Sequence, residues 1–157
     1  MSHQTTMSAT TAEPSIRQPD LAGSYVYKFE GNAMRNNVPH RICGIGRFTL
    51  DAQGGLEGSH TSSGTPLQGS VRDGVLVATF QLKGTMLLDE TALGNADIVF
   101  TSDNATLDSV HGKFRFAVAG TPDRVWLMST GATVIGKAEP VNIAELVIIE
   151  AVRLPHG

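Results

Sequence analysis

The sequence predicts an all-β protein: a single antiparallel, closed β-barrel of about eight strands. Three observations lead there. Apolar and polar residues alternate with a period of two from Leu21 onward, the signature of half-buried strands. Turn residues recur at short intervals between these runs. The 157-residue chain is rich in glycine, with 17, and only 17% of it is charged, against about 25% in an average domain. A chain of about this length buries roughly 70% of its unfolded surface, so one domain needs no metal or disulfide to hold it. Closure of the sheet removes the edges that would otherwise invite aggregation.

Residues 1–20 are rich in Ser, Thr, Gln and Pro and read as a flexible tail, with the barrel domain covering 21–157. In "GSYVYKFE", Tyr25, Tyr27 and Phe29 share a face. In "RICGIGRFTL", Ile42, Gly44, Gly46, Phe48 and Leu50 lie opposite Arg41, Cys43, Ile45, Arg47 and Thr49. "DAQGG" is a turn, and "LEGSHTSS" returns with Leu56, Gly58 and His60 on one side. The Asp-Gly of "RDGV" signals a tight hairpin before "VLVATFQL". "NADIVFTS" sets Ala96, Ile98 and Phe100 against Asp97, Val99 and Thr101, and "GKFRFAV" sets Phe114, Phe116 and Val118 against Lys113, Arg115 and Ala117. "TPDR" is a proline-initiated turn into the strand "VWLMST". The last segment, "VNIAELVIIEAVRL", carries a helix-like cap at Asn142 and Glu145, but its Val and Ile content favours a strand. That strand is apolar on both faces from Ala144 to Val152 apart from Glu150, which calls for a second cover such as a partner subunit.

Several functions are disfavoured by what is missing. "GIGRFT" has two glycines of a dinucleotide fingerprint but no third and no following helix, and there is no P-loop. Gly44 and Gly46 instead lie on one face of a strand, where they permit a close approach by a large side chain or a ligand. No zinc motif or nucleophile elbow occurs. His40, His60 and His111 could bind a metal only if folding gathered them, so no metal and no cofactor is expected. A net charge of −3 argues against nucleic acid. The single cysteine, Cys43, reads as a small buried residue, and its solitude suits a reducing compartment. With no apolar leader in the N-terminal residues and no membrane-length apolar run, the expected location is the cytoplasm.

Polar residues set within apolar strands are the candidates for chemistry. Arg115, His60 and Glu145 are the candidate catalytic groups, because a few convergent polar side chains in an apolar cavity make a binding or reaction site. Tyr25, Tyr27, Phe48, Phe114, Phe116, Trp126 and Met128 are the expected ligand-binding walls.

"LAGSYVYKFEG", "GIGRFTLDAQGGLEGSH", "LKGTMLLDETALGNADIVF" and "GKFRFAVAGTPDRVWLMST" together resemble the allene oxide cyclase-like barrels, within the wider calycin-like group. The resemblance spans about Leu21 to Arg153 and rests on turn glycines and alternation; Thr85-Met86 stands where an aromatic would follow the Gly-Thr. It implies an eight-stranded barrel, dimeric or trimeric, with an apolar cavity. Some relatives of that kind cyclise or isomerise apolar substrates without a cofactor. The expectation is therefore a barrel that binds a small apolar or amphipathic molecule, with cofactor-independent cyclisation or isomerisation as a chemistry open to it. The alternative is a non-enzymatic structural or interaction module with a solid core.

Overall fold

A computed structural model of the chain describes residues 16–35, 38–67, 75–90, 92–119 and 123–155. A short 3-10 helix, η1 (Gln18–Leu21), precedes nine strands. They are β1 (Gly23–Arg35), β2 (Val38–Leu50), β3 (Gly55–Pro66), β4 (Leu76–Glu90), β5 (Leu93–Ser102), β6 (Ser109–Val118), β7 (Arg124–Ile135), β8 (Val141–Ile143) and β9 (Glu145–Arg153).

Strands β1 to β7 pair antiparallel in chain order, and β9 inserts between β7 and β1, closing an eight-stranded barrel. The short β8 lies on β7 beyond β9 and is the one extra strand. The fold is thus the closed antiparallel barrel that the alternation implies. The terminal segment is strand rather than helix, as its β-branched residues favour.

The parity of each strand decides what fills the barrel. Tyr25, Tyr27 and Phe29 of β1 point inward, as do Ile42, Phe48 and Leu50 of β2, Phe80 and Leu82 of β4, and Phe114 and Phe116 of β6. Each such side chain contributes about 2–3 kcal/mol of burial. Gly44 and Gly46 continue the inward row of β2. A Cβ on Gly44 would run into the Phe29 ring; one on Gly46 would lie 2.5 Å from His60 Cβ and 2.8 Å from the Tyr27 ring. The two glycines make room for these rings. The turn Asp51–Gly55 is held by the Asp51 carboxylate, which accepts from the amides of Gln53 and Gly55 at 2.9 and 2.8 Å, with Gly54 at φ +93°.

The end of the barrel where β1 begins is tied shut. Leu21 is fully buried there, and the Tyr25 hydroxyl donates to its carbonyl at 2.7 Å. Arg153 donates to the carbonyls of Asp20 and Ala22 and pairs with Asp123 at 2.8 Å. Gln18 bonds the backbone of Met86 and Leu88 at 2.8 Å each. Residues 16–20, expected as the end of the tail, are therefore part of the folded unit: Ile16 packs on the core, and a polar side chain finds backbone partners on β4. Residues 1–15, the "RDGV" hairpin tip at Asp73–Gly74 and the start of "TPDR" at Thr121–Pro122 lie outside the described residues.

One expectation on burial is corrected. Cys43 is exposed, because its position in β2 alternates with the inward Ile42 and Gly44. The outward side chains of β9 lack a cover among the described residues: Leu146 and Ile148 are each more than 60% exposed.

Candidate functional site

The open end of the barrel, opposite η1, leads into an apolar cavity of about 70 Å³. Aromatic rings dominate its wall: Tyr27, Phe29, Phe48, Phe80, Phe100 and Phe114. Aliphatic side chains from β2, β3, β4, β5, β7 and β9 complete it. That volume is several times the space one water needs, and less than the roughly 150 Å³ of an apolar cavity that takes up benzene.

Four polar side chains face this space. His60, on β3, is enclosed by rings, with Phe29, Phe80 and Phe100 centred 4.8, 5.2 and 5.4 Å away. Its Nδ1 lies 2.8 Å from the Tyr27 hydroxyl. Burial raises the Tyr27 pKa, so the phenol keeps its proton. It can donate to Nδ1 in the tautomer that carries the imidazole proton on Nε2. Burial, reinforced by the nearby Arg35 charge, lowers the His60 pKa to about 4, so the ring is neutral at physiological pH.

Arg35 and Glu145 form the polar rim. Arg35, the last residue of β1, reaches across the barrel, where its Nη2 donates to Ser62 Oγ on β3 at 2.9 Å and its guanidinium lies 4.7 Å from the Phe80 ring centre. Glu145 opens β9 directly opposite Ala33 of β1. Burial raises its pKa to about 7, against the opposing pull of Arg35. The same burial lowers the Arg35 pKa, with Glu145 partly offsetting it. Arg35 also borders a second cleft of about 70 Å³, lined on its far side by the Asp108–Lys137 pair at 3.6 Å.

The expected site residues separate into three groups. Tyr27, Phe48, Phe114, His60 and Glu145 are brought together around the cavity. Tyr25 and Phe116 are buried in the barrel but do not line it; Tyr25 stacks on Phe48 at 4.8 Å towards the closed end. Trp126 and Met128 are corrections: both point outward from β7 and are about half exposed, because Val125 and Leu127 take the inward positions. Arg115 is also on the outside, bound to Asp89 and Asn95, while Phe114 and Phe116 point in. Its bond holds the Asp89 carboxyl below its usual range.

Phe29, Phe80 and Phe100 line the cavity without having been among the expected walls, and Arg35 is the polar group that sequence reasoning missed. The signal was present, since position 35 has the inward parity of Tyr25, Tyr27 and Phe29, carried six residues past the point where the first strand's alternation was followed. The histidines do not gather: His40 and His60 point inward, whereas His111 is on the outer face, 3.2 Å from Asp97. Among the described residues no cluster of three His, Cys, Asp or Glu is arranged to hold a metal, and no helix is long and apolar enough to cross a membrane.

No family model matches the chain, and no curated protein or solved structure is significantly similar to it. The closed eight-stranded antiparallel architecture is consistent with the calycin-like barrels.

Proposed function

We propose that this protein binds a small amphipathic molecule in the barrel, with the apolar part among the aromatic rings and the polar part at the rim. The observation that carries this reading is the arrangement of the cavity: an aromatic interior with Tyr27, His60, Arg35 and Glu145 as its few polar groups. The modest volume limits the buried part of the ligand to a slim chain or a group smaller than a benzene ring. A carboxyl with a pKa of about 7 can accept and return a proton near neutral pH. Beside a neutral imidazole in a largely apolar chamber, that chemistry suits cofactor-independent isomerisation or cyclisation of the kind found among allene oxide cyclase-like barrels.

Ligand-observed NMR with 1-hexanol tests the binding. Hexanol should bind the protein, and Ala33→Phe, which places a ring opposite Glu145 at the rim, should abolish binding while leaving the thermal melt cooperative. Equal binding by both proteins would overturn the reading.

A second reading, an interaction module, is favoured by the outer surface of β7, β9, β1 and β2. Trp126, Met128, Ile148, Leu146, Val26 and Ile45 are all at least 40% exposed there. They flank the Lys28–Glu150 pair at 3.8 Å. A two-fold axis through that pair would set each lysine against the other copy's glutamate, so the face suits a second copy of this chain.

A further inference from the structure

The rim is unfinished as a hydrogen-bonding site. A guanidinium carries five N–H donors, and one bond is made here, to Ser62. The guanidinium lies 4.7 Å from the Phe80 ring centre and borders the cavity. The Glu145 carboxyl acts on Arg35 through its charge, but among the described residues it makes no ion pair with Arg35 within 4.0 Å and its side-chain oxygens make no hydrogen bond, although its backbone carbonyl accepts from Ser129. A cation and a carboxyl have thus been brought to one apolar opening without closing on each other. Both side chains line the one cavity, so a small polar group at its mouth can meet the unused donors of Arg35 and the carboxyl of Glu145 together.

We propose that Arg35 and Glu145 are the head-group site for a short monocarboxylate, bound with the uptake of one proton. This rests on the cavity reading above and names its ligand class. A carboxylate matches the fork of a guanidinium in two parallel bonds. Its negative charge offsets Arg35 and disfavours a second anion beside it, so a Glu145 oxygen takes a proton from solvent and can then donate to the ligand. A phosphate would bring up to two charges to an opening otherwise walled by Phe80, Phe100, Met34 and Val110, which makes it the poorer match. The cavity volume holds the tail to a few carbons.

The titratable groups facing Glu145 are few. Arg35 and Tyr27 from β1 and His60 from β3 line the same cavity; His40 is buried on β2, opposite the same Ala33 that Glu145 pairs with; Asp108 and Lys137 pair across the adjoining cleft. The described cavity-lining residues of β4, β5, β6 and β7 are all apolar. Glu145 stands at the rim with Arg35, and with its pKa raised to about 7 by burial it can take up the proton.

The test is calorimetric titration of the full chain with sodium hexanoate and with 1-hexanol, in buffers of different ionisation enthalpy. Hexanoate should bind more tightly than hexanol at about pH 7, with uptake of a fraction of a proton that rises towards one at about pH 8. Its affinity should fall up to about tenfold per pH unit above 7. Arg35→Gln should lower hexanoate affinity at least about tenfold more than hexanol affinity. Glu145→Gln should remove the proton uptake and flatten the pH dependence. Hexanol binding as tightly as hexanoate, or equal losses for both in Arg35→Gln, would overturn the head-group site while leaving the cavity reading standing. Failure of both probes to bind would overturn the two together.

Discussion

The hydroxyl of Tyr27 lies 2.8 Å from Nδ1 of His60, and the two rings together fill the space left by the absent side chain of Gly46. One contact thus joins three neighbouring strands. It fixes the orientation of the imidazole. Removing the hydroxyl leaves a buried ring nitrogen without its partner. Tyr27→Phe should therefore lower stability by about 1–2 kcal/mol, read as a shift in the urea midpoint without a change in slope.

The glycines of β2 yield a steric prediction. Gly46→Ala sets a methyl 2.6 Å from the Ser59 carbonyl and 2.5 Å from His60 Cβ, and neither can move without disturbing the β2–β3 ladder. The expected loss is about 1–3 kcal/mol by thermal or chemical unfolding. Gly131→Ala is the control: a Cβ there meets nothing within 4 Å, so its cost should be much smaller.

The two interior titrating groups oppose each other. The folded-state pKa of His60 is lowered from 6.5 to about 4, so the unfolded chain binds the extra proton between these values and stability falls as pH drops through them. The folded-state pKa of Glu145 is raised from 4.5 to about 7, so the folded chain holds the extra proton and stability falls as pH rises through that window. Each effect is at most about 3 kcal/mol. They offset one another between the two unfolded-state values, giving the wild type a shallow profile there. Glu145→Gln should expose a rise in stability from about pH 4 to 6.5, and His60→Gln a fall from about pH 4.5 to 7, both read from urea titrations across pH.

The outer face of β9 predicts association. Light scattering on a size-exclusion column should find an oligomer, and Ile148→Glu, which places a charge amid Met128 and Leu146, should convert it to a monomer with an unchanged thermal melt. A wild-type protein that is monomeric at high concentration would remove the second-copy reading.

Alternation made most of the barrel legible. The inward sets of Tyr25, Tyr27 and Phe29, and of Phe114, Phe116 and Val118, are where period two places them. The same rule could have settled Trp126 and Met128, since only one of the two parities of "RVWLMST" can face in, and Val125 and Leu127 took it. Large aromatic side chains drew attention to the wrong parity. Glu145 and His60 were visible as polar interruptions of apolar strands. Arg35 shares the inward parity of Tyr25, Tyr27 and Phe29, but it lies at the strand's end, and only the register across the barrel brings it to Ser62 and Phe80. The docking of residues 16–20 was hidden for a similar reason: Gln18 is held by the backbone of a strand far along the chain.

The insertion of β9 between β1 and β7 sets a condition on how the protein is made. Until that strand has been synthesised, the first seven form an open sheet with two raw edges, and Glu145 is absent from the rim. Such long-range pairing is slow to form, so a nascent chain waits on the ribosome with both edges ready to accept a neighbour's strand. A chain released before Glu145 should be captured by chaperones or lost to aggregates rather than accumulate as a smaller barrel.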